Sequence, residues 1–462
     1  MLKIEPKIRA ELDQGFVPAV LWMRAYGDFV KANRGGRRLV IGTERPNGMI
    51  SVHETEIMPH EGEFKTLNLK HVERIVKSML WMKGGYKIYI AGNSEIAAEI
   101  AKIYSPVGAR SFDNELIGRK VYGHDLAVVD CSLDEAPAET AAKVALGRNF
   151  KGCRIGFDLG GSDRKCAAVI DGEVVFSEEV EWDPYFQSDP EWHKAGINHS
   201  LKLAADHLPR VDAIGGSAAG VYVDNQIRVA SLFRGVSDED FEKYVRNMFL
   251  DLKEEWGIPF EVINDGEVTA LAGSISINDN ALLGIAMGTS QAVGYISPEG
   301  NVTDWLNELA FSPVDYNAKA MADEWSGDTG CGAQYFSQQA VAKLAPAAGI
   351  EFSSDMPFPE QLIEVQEMMK KGDDKATKIY STIGTYFGYA IADYAEFYDI
   401  RNIMVLGRVT SGTGGEIIID KAEEVLKLEF PELDEKLKFH IPDEKMKRHG
   451  QAVAAASLPE IK

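Results

Sequence analysis

The chain has 462 residues, enough for about three domains at ~150 residues each. Hydrophobic residues make up 45% and charged residues 26%, which excludes disorder for the bulk of the chain. Forty-nine Lys and Arg face 71 Asp and Glu, a net charge of −22 that repels nucleic acid and anionic lipid.

The densest basic run, Arg34 to Arg38, reads as a solvated turn. No apolar run approaches the ~20 residues of a membrane helix. The charged N-terminus, MLKIEPKIRAELDQ, lacks the apolar stretch of a secretory signal. The four cysteines, Cys131, Cys153, Cys166 and Cys331, form no C-x-x-C pair. That spacing disfavours a disulfide scaffold and a zinc ribbon, and fits a reducing cytoplasm.

In chain order, Arg37 to Thr43 and Ile50 to Met58 are β-rich runs around the turn Pro46-Asn47-Gly48, predicting a hairpin. Leu69 to Met82 has helical spacing, and Lys87 to Gly92 reads as a buried strand. Ser94 to Tyr104 follows as a helix with Ser94 as its N-cap, then Asp125 to Cys131 as a strand. These elements predict a small α/β domain over residues 1–150. Asp134 to Thr140 reads as its exit linker.

A second system starts at Cys153. CRIGFDLGG is a strand ending in a glycine turn, and a hairpin follows around Asp171-Gly172. Ile197 to His207 reads as a helix, VDAIGGSAAG as a strand running into a small-residue loop, and Asp238 to Trp256 as one long amphipathic helix. FEVINDGE delivers Asn264 and Asp265 at a strand end. ALLGIAMGTSQAVGYI is a strand, glycine turn and strand. Helices fill Gln361 to Phe397, NIMVLGRVTSGTGG is a strand and glycine loop, and Gln451 to Leu458 is a closing helix.

Three strand-terminal glycine turns therefore recur: Asp158-Leu159-Gly160-Gly161-Ser162, Gly288-Thr289-Ser290, and Gly407-Arg408 with Gly412, Gly414 and Gly415. Glycines let the backbone approach a phosphate and offer N–H donors to it. Neither G-x-x-x-x-G-K-[ST] nor G-x-G-x-x-G occurs, which excludes P-loop and Rossmann chemistry. Gly215 to Ala219 nearly spells the hydrolase elbow G-x-S-x-G but ends in Ala219. The aromatic run Trp182, Tyr185, Phe186, Trp192 and His193 reads as a packed hairpin tip or a dimer contact rather than a sugar platform.

In order and spacing these motifs resemble the actin/hexokinase-like ATPases, and within them the ROK family of sugar kinases and repressors. The resemblance runs from Cys153 to the C-terminus, about two-thirds of the chain. It implies an α/β fold with two ribonuclease-H-like lobes around a nucleotide cleft, plus the small N-terminal α/β domain. The lobes would be residues 151–265 and 266–447, with a terminal helix in 448–462 packing back on the first.

Carried over by motif, Asp265 is the base that takes the acceptor hydroxyl's proton, and Asn264 a ligand of that acceptor. Gly216 and Ser217 lie in the loop before the sugar site, and Glu308 matches the glutamate of the family's E-x-G-H motif. Asp158 would hold Mg2+, mostly through water. Gly160, Gly161, Ser162, Gly288 and Thr289 would surround the phosphates of ATP, and Gly407 and Gly412 the adenosine. The family histidine is Phe311 here, and only Cys331 remains of its cysteine cluster, so no structural zinc is expected. The family's following glutamate falls near Ala333 or Gln334. Asp163 sets a carboxylate beside the first phosphate loop, which a metal or Arg164 must offset. Arg408 replaces a glycine of the adenosine loop.

The implied activity is ATP- and Mg2+-dependent phosphoryl transfer to a sugar or polyol in a cytoplasmic homo-oligomer without nucleic-acid or membrane partners. The competing reading is a non-catalytic sugar or nucleotide sensor. No helix-turn-helix is apparent, which argues against a DNA-binding repressor. Residues 1–150 are either a degenerate lobe copy or an oligomerisation module.

Overall fold

The computed structural model describes residues 2–140, 146–442 and 450–461. In the N-terminal part, β1 (Arg37–Arg45) and β2 (Met49–Ile57) form the hairpin, turning through Asn47 and Gly48 with positive φ. β3 (Lys87–Ala91) runs antiparallel to β1 and parallel to β4 (Ala127–Cys131), giving the order β2-β1-β3-β4. β1 therefore has antiparallel neighbours on both sides. The helix Ser94–Ile103 is capped by Asn93, whose Oδ1 accepts from the Ile96 amide, not by Ser94.

Helix Phe64–Lys83 is buried almost without interruption from Val72 onward. It is buried on several sides because it lies between this sheet and the C-terminal lobe. Residues 2–32 pack elsewhere than on this sheet alone. Ile8, Ala10, Phe16 and Val20 enter the core built on helix Asp374–Tyr394, where Phe16 meets Tyr386 edge to face at 4.6 Å.

The first lobe carries β5 (Cys153–Leu159), β6 (Asp163–Ile170), β7 (Glu173–Glu181), β8 (Ala213–Ala218) and β11 (Phe260–Asn264), ordered β11-β8-β5-β6-β7. β5 is antiparallel to β6 and parallel to β8, as a ribonuclease-H-like sheet requires. A two-stranded ribbon, β9 (Val221–Val223) with β10 (Gln226–Val229), hangs beside it. The second lobe has β12 (Leu282–Met287), β13 (Gln291–Ile296), β14 (Asn402–Leu406) and β15 (Lys438–His440), ordered β13-β12-β14-β15.

The predicted long helix over 238–256 is interrupted. Arg246 donates its amide to the Phe241 carbonyl in a wide turn, while its own carbonyl accepts from Ile227 in β10. Helix Met248–Trp256 then starts afresh. The closing helix, Gln451–Ala456, lies on the first sheet. A side chain at Gly156 would strike the Ala452 carbonyl, and one at Gly215 the Ala455 carbonyl, so these glycines exist for that helix. No described helix is long and apolar enough to cross a membrane.

Candidate active site

The loops that leave the carboxyl ends of β5, β8, β11, β12 and β14 carry most of the residues singled out by motif. In open α/β sheets, ligands bind at those ends. β5 ends in the turn Gly160 to Ser162, held by the Gly160 amide donating to the Asp163 carbonyl at 2.9 Å. The Trp182 indole donates to the Gly160 carbonyl at 2.8 Å, and the Tyr185 ring lies where a Gly161 side chain would stand. The aromatic run thus braces the first glycine loop.

Asp163 is offset by Lys165, whose Nζ lies 3.5 Å from its carboxylate. Arg164, the residue expected to do this, is buried instead beneath Trp182. The second turn is open, with Thr289 exposed and the Gly288 amide donating to Ser290. After β14, Gly407 takes φ +105° because any side chain there would strike the Met287 backbone. Gly412 then opens helix Thr413–Glu429.

Asn264 and Asp265 follow β11 at the point where the chain crosses between lobes. Asn264 is the N-cap of helix Asp265–Ile277: its Oδ1 accepts from Gly266 at 2.7 Å, and its Nδ2 donates to the Gly220 carbonyl at 2.7 Å. Both ends of that amide are committed to the fold. Asp265 is thereby relieved of capping, although its Oδ1 also receives the Gly266 amide at 3.0 Å. Close packing of Gly266 on the Val293 carbonyl of β13 seats the helix on the second sheet.

Gly216 and Ser217, expected at the acceptor, lie inside β8. Gly216 is packed against the Phe157 ring, and Ser217 is fully buried. Ser217 instead donates to Asp158 Oδ1 at 2.6 Å, which fixes the carboxylate. The correction follows from β8 running through to Ala218, so both residues are strand rather than loop.

Four carboxyl groups share this region. Burial pushes Asp158 up to about 6, Glu308 to about 7 and Glu267 to about 8, and raises Asp265 as well. The Asp265 charge adds to the rise at the other three. Asn307 donates to Glu267 at 3.3 Å. Tyr222, whose hydroxyl donates to the Ala219 carbonyl at 3.1 Å, is held neutral by burial and by Asp265 and Asp158. Sequence reasoning missed Glu267 and Tyr222. The signal for Glu267 was a second acid, after Asp265, in the first turn of a helix with no other charged residue.

Acids with raised pKa bind more protons folded than unfolded, so their contribution to stability declines as pH rises through the folded values. The thermal midpoint of the free protein is expected to fall between pH 6 and pH 8.5. Glu267→Gln should flatten that slope; an unchanged slope in melts of this variant would contradict the assignment.

The Asp158 donor set, a carboxylate fixed by one hydroxyl beside a second carboxylate, fits Mg2+, which takes few protein oxygens and keeps its waters. Among the described residues no group of three or more His, Cys, Asp or Glu has the arrangement of a metal cluster. Cys331 is buried, its thiol raised to about 12 chiefly by desolvation, with the Asp328 carbonyl at 3.7 Å. Phe311, in the place of the family histidine, packs on Trp81 at 4.4 Å and Phe112 at 5.5 Å. The end of helix Phe64–Lys83 occupies this side: the Trp81 and Met82 carbonyls accept from the Glu308 and Asn307 amides at 2.9 and 3.0 Å.

No family model matches the chain, and no curated protein matches it. Solved structures do. A ROK hexokinase from Thermus thermophilus aligns over 66% of this chain and 97% of its own, with TM-score 0.52 and 17% identity. A ROK family transcriptional regulator, a homologue of the E. coli MLC protein, aligns over 67% of this chain and 79% of its own, with TM-score 0.50 and 18% identity. The fold is therefore like that of these ROK proteins, two α/β lobes. About a third of this chain lies outside each alignment.

Proposed function

We propose that this protein transfers the terminal phosphoryl group of ATP to a hydroxyl of a sugar or related polyol, with Asp265 as general base. The observation that carries the reading is the placement of the Asp265 carboxylate, whose Oδ1 receives the Gly266 amide while Asn264 caps the helix. The carboxylate stands at the end of β11, within the field of Asp158 and Glu308. The likeness in fold to a ROK hexokinase supports the substrate class.

Phosphoryl transfer depends on positioning and charge neutralisation rather than on covalent chemistry. The backbone amides of Gly160, Gly161 and Gly288, with Ser162 and Thr289, would cradle the phosphates. Gly407 and Gly412 would border the adenosine. Glu308 would orient the acceptor, and Asp265 would remove its proton as the new P–O bond forms. Asp158, fixed by Ser217, would hold Mg2+, which supplies positive charge to the phosphate oxygens.

A second reading, a sensor without turnover, is favoured by Phe311 being committed to Trp81 and Phe112, and by the regulator among the structural neighbours. One experiment separates them: phosphate transfer from Mg-ATP to a panel of sugars and polyols, with thermal shifts on the same ligands. Ligand that binds only the folded state stabilises it by an amount that grows with the logarithm of ligand concentration above Kd. Transfer to at least one member supports the kinase. Concentration-dependent shifts without any transfer support the sensor.

A further inference from the structure

A cavity of about 450 Å3 lies where the N-terminal domain meets both lobes, and the reaction proposed above does not use it. Resting on the kinase reading, we infer that this cavity is a second sugar subsite. The acceptor is then a glycoside of at least two rings, with its reacting ring at Asp265 and its second ring held by the N-terminal domain.

Continuity places the cavity at the site. Asn264 and Glu267, on either side of Asp265 in sequence, form part of its wall. Its size exceeds one sugar: a hexose of twelve non-hydrogen atoms fills roughly 180 Å3 at the packing density of organic matter. Cavities of ~300–1,000 Å3 are those that enclose larger ligands.

Its polar groups call for hydroxyls. Arg45 of β1 is 2% exposed. Its Nε donates to Asp304 at 2.9 Å and its Nη1 to Ser51 at 2.9 Å, while its Nη2 has no partner among the described residues. On the facing lobe, the buried Thr303 Oγ1 also lacks one. Both atoms are buried behind the wall, which itself offers the polar side chains of Asn47, Asp224 and Asp304 to a ligand's hydroxyls. Asp304 already balances the Arg45 charge, so the matching ligand is neutral rather than anionic. Met49, Tyr122, Val223 and Trp305 supply apolar wall, the surface that the C–H faces of a pyranose need.

The test compares phosphorylation of glucose with that of cellobiose, maltose and p-nitrophenyl glucosides. It uses the wild type, Val223→Trp and Met49→Trp. Both replaced residues are half-buried and lie outside the catalytic machinery. The wild type is expected to favour a two-ring acceptor in kcat/KM by at least ~10-fold, the scale of a lost pocket contact. Each variant should abolish that preference while leaving the single-ring value within about twofold, which also reports correct folding. A preference unaltered in both variants, or a wild type that favours the single ring, overturns the subsite. If no sugar accepts phosphate, the kinase reading falls, and calorimetry with the same glycosides decides the subsite alone. Binding to the wild type that both variants lose, with Mg-ATP affinity kept, upholds it. Absence of binding by every two-ring glycoside overturns it.

Discussion

Asp265→Asn is expected to lower turnover by ~10²–10⁴-fold, the usual worth of a general base. The variant keeps the size and polarity of the side chain but cannot accept the hydroxyl proton at neutral pH. Affinity for Mg-ATP should stay nearly constant, because the phosphate loops belong to β5, β12 and their turns. Such a pattern marks an interaction made mainly in the transition state. A merely structural Asp265 predicts something else. A helix cap is worth ~0.5–2 kcal/mol, and Asn caps as well as Asp. Here the cap is Asn264, tied at both ends of its amide, so the variant should melt close to the wild type. Normal turnover in Asp265→Asn would remove this residue from the chemistry. A lowered melting point with normal turnover would make it structural.

Much of this arrangement was legible because local chemistry and tertiary structure agree. Pro46-Asn47-Gly48 allows one tight turn, and the strands on either side follow. Glycine turns at strand ends mark Gly160, Gly288 and Gly407 because backbone must pass close there. The same pattern misleads at Gly216, expected in a loop by the acceptor, where the close approach is to the Phe157 ring. A glycine reports proximity without naming the neighbour. The break at Arg246 was illegible for a related reason: its carbonyl is drawn to β10, a partner fixed only by tertiary structure. Nor could spacing disclose that residues 8–20 enter the core of the second lobe, since long-range contacts carry no local period.

The near-continuous burial of helix Phe64–Lys83 has the same origin, and it governs the largest expected loss of stability. Arg74 and Lys77 on this helix, with Arg110, meet Glu73, Asp113 and Asp328 in a buried network of three cations and three anions. Asp328, from the loop that carries Cys331, touches all three cations: Arg74 at 3.0 Å, Lys77 at 3.1 Å and Arg110 at 2.7 Å. Lys77 is fully buried and Asp328 nearly so. Removing one member of such a network strands the others in low dielectric, at ~3–5 kcal/mol. Asp328→Ala is thus expected to lose about that much in urea denaturation at pH 7. The loss should reach the active site, because the same helix ends by accepting the Asn307 and Glu308 amides. Burial alone would raise the Asp328 pKa, but Arg74 and Lys77 hold it below the usual carboxylate value. Its stabilisation is therefore present above ~pH 4 and fades as acid protonates it below that. The acid limb of the wild type should be shallower in the variant. The decisive measurement is the double variant Asp328→Ala/Lys77→Met. Two cations, Arg74 and Arg110, then face two anions, Glu73 and Asp113, so the second substitution should restore part of the stability lost in the first. If Lys77→Met instead adds its own full cost to that of Asp328→Ala, the two residues act independently and the network account is wrong.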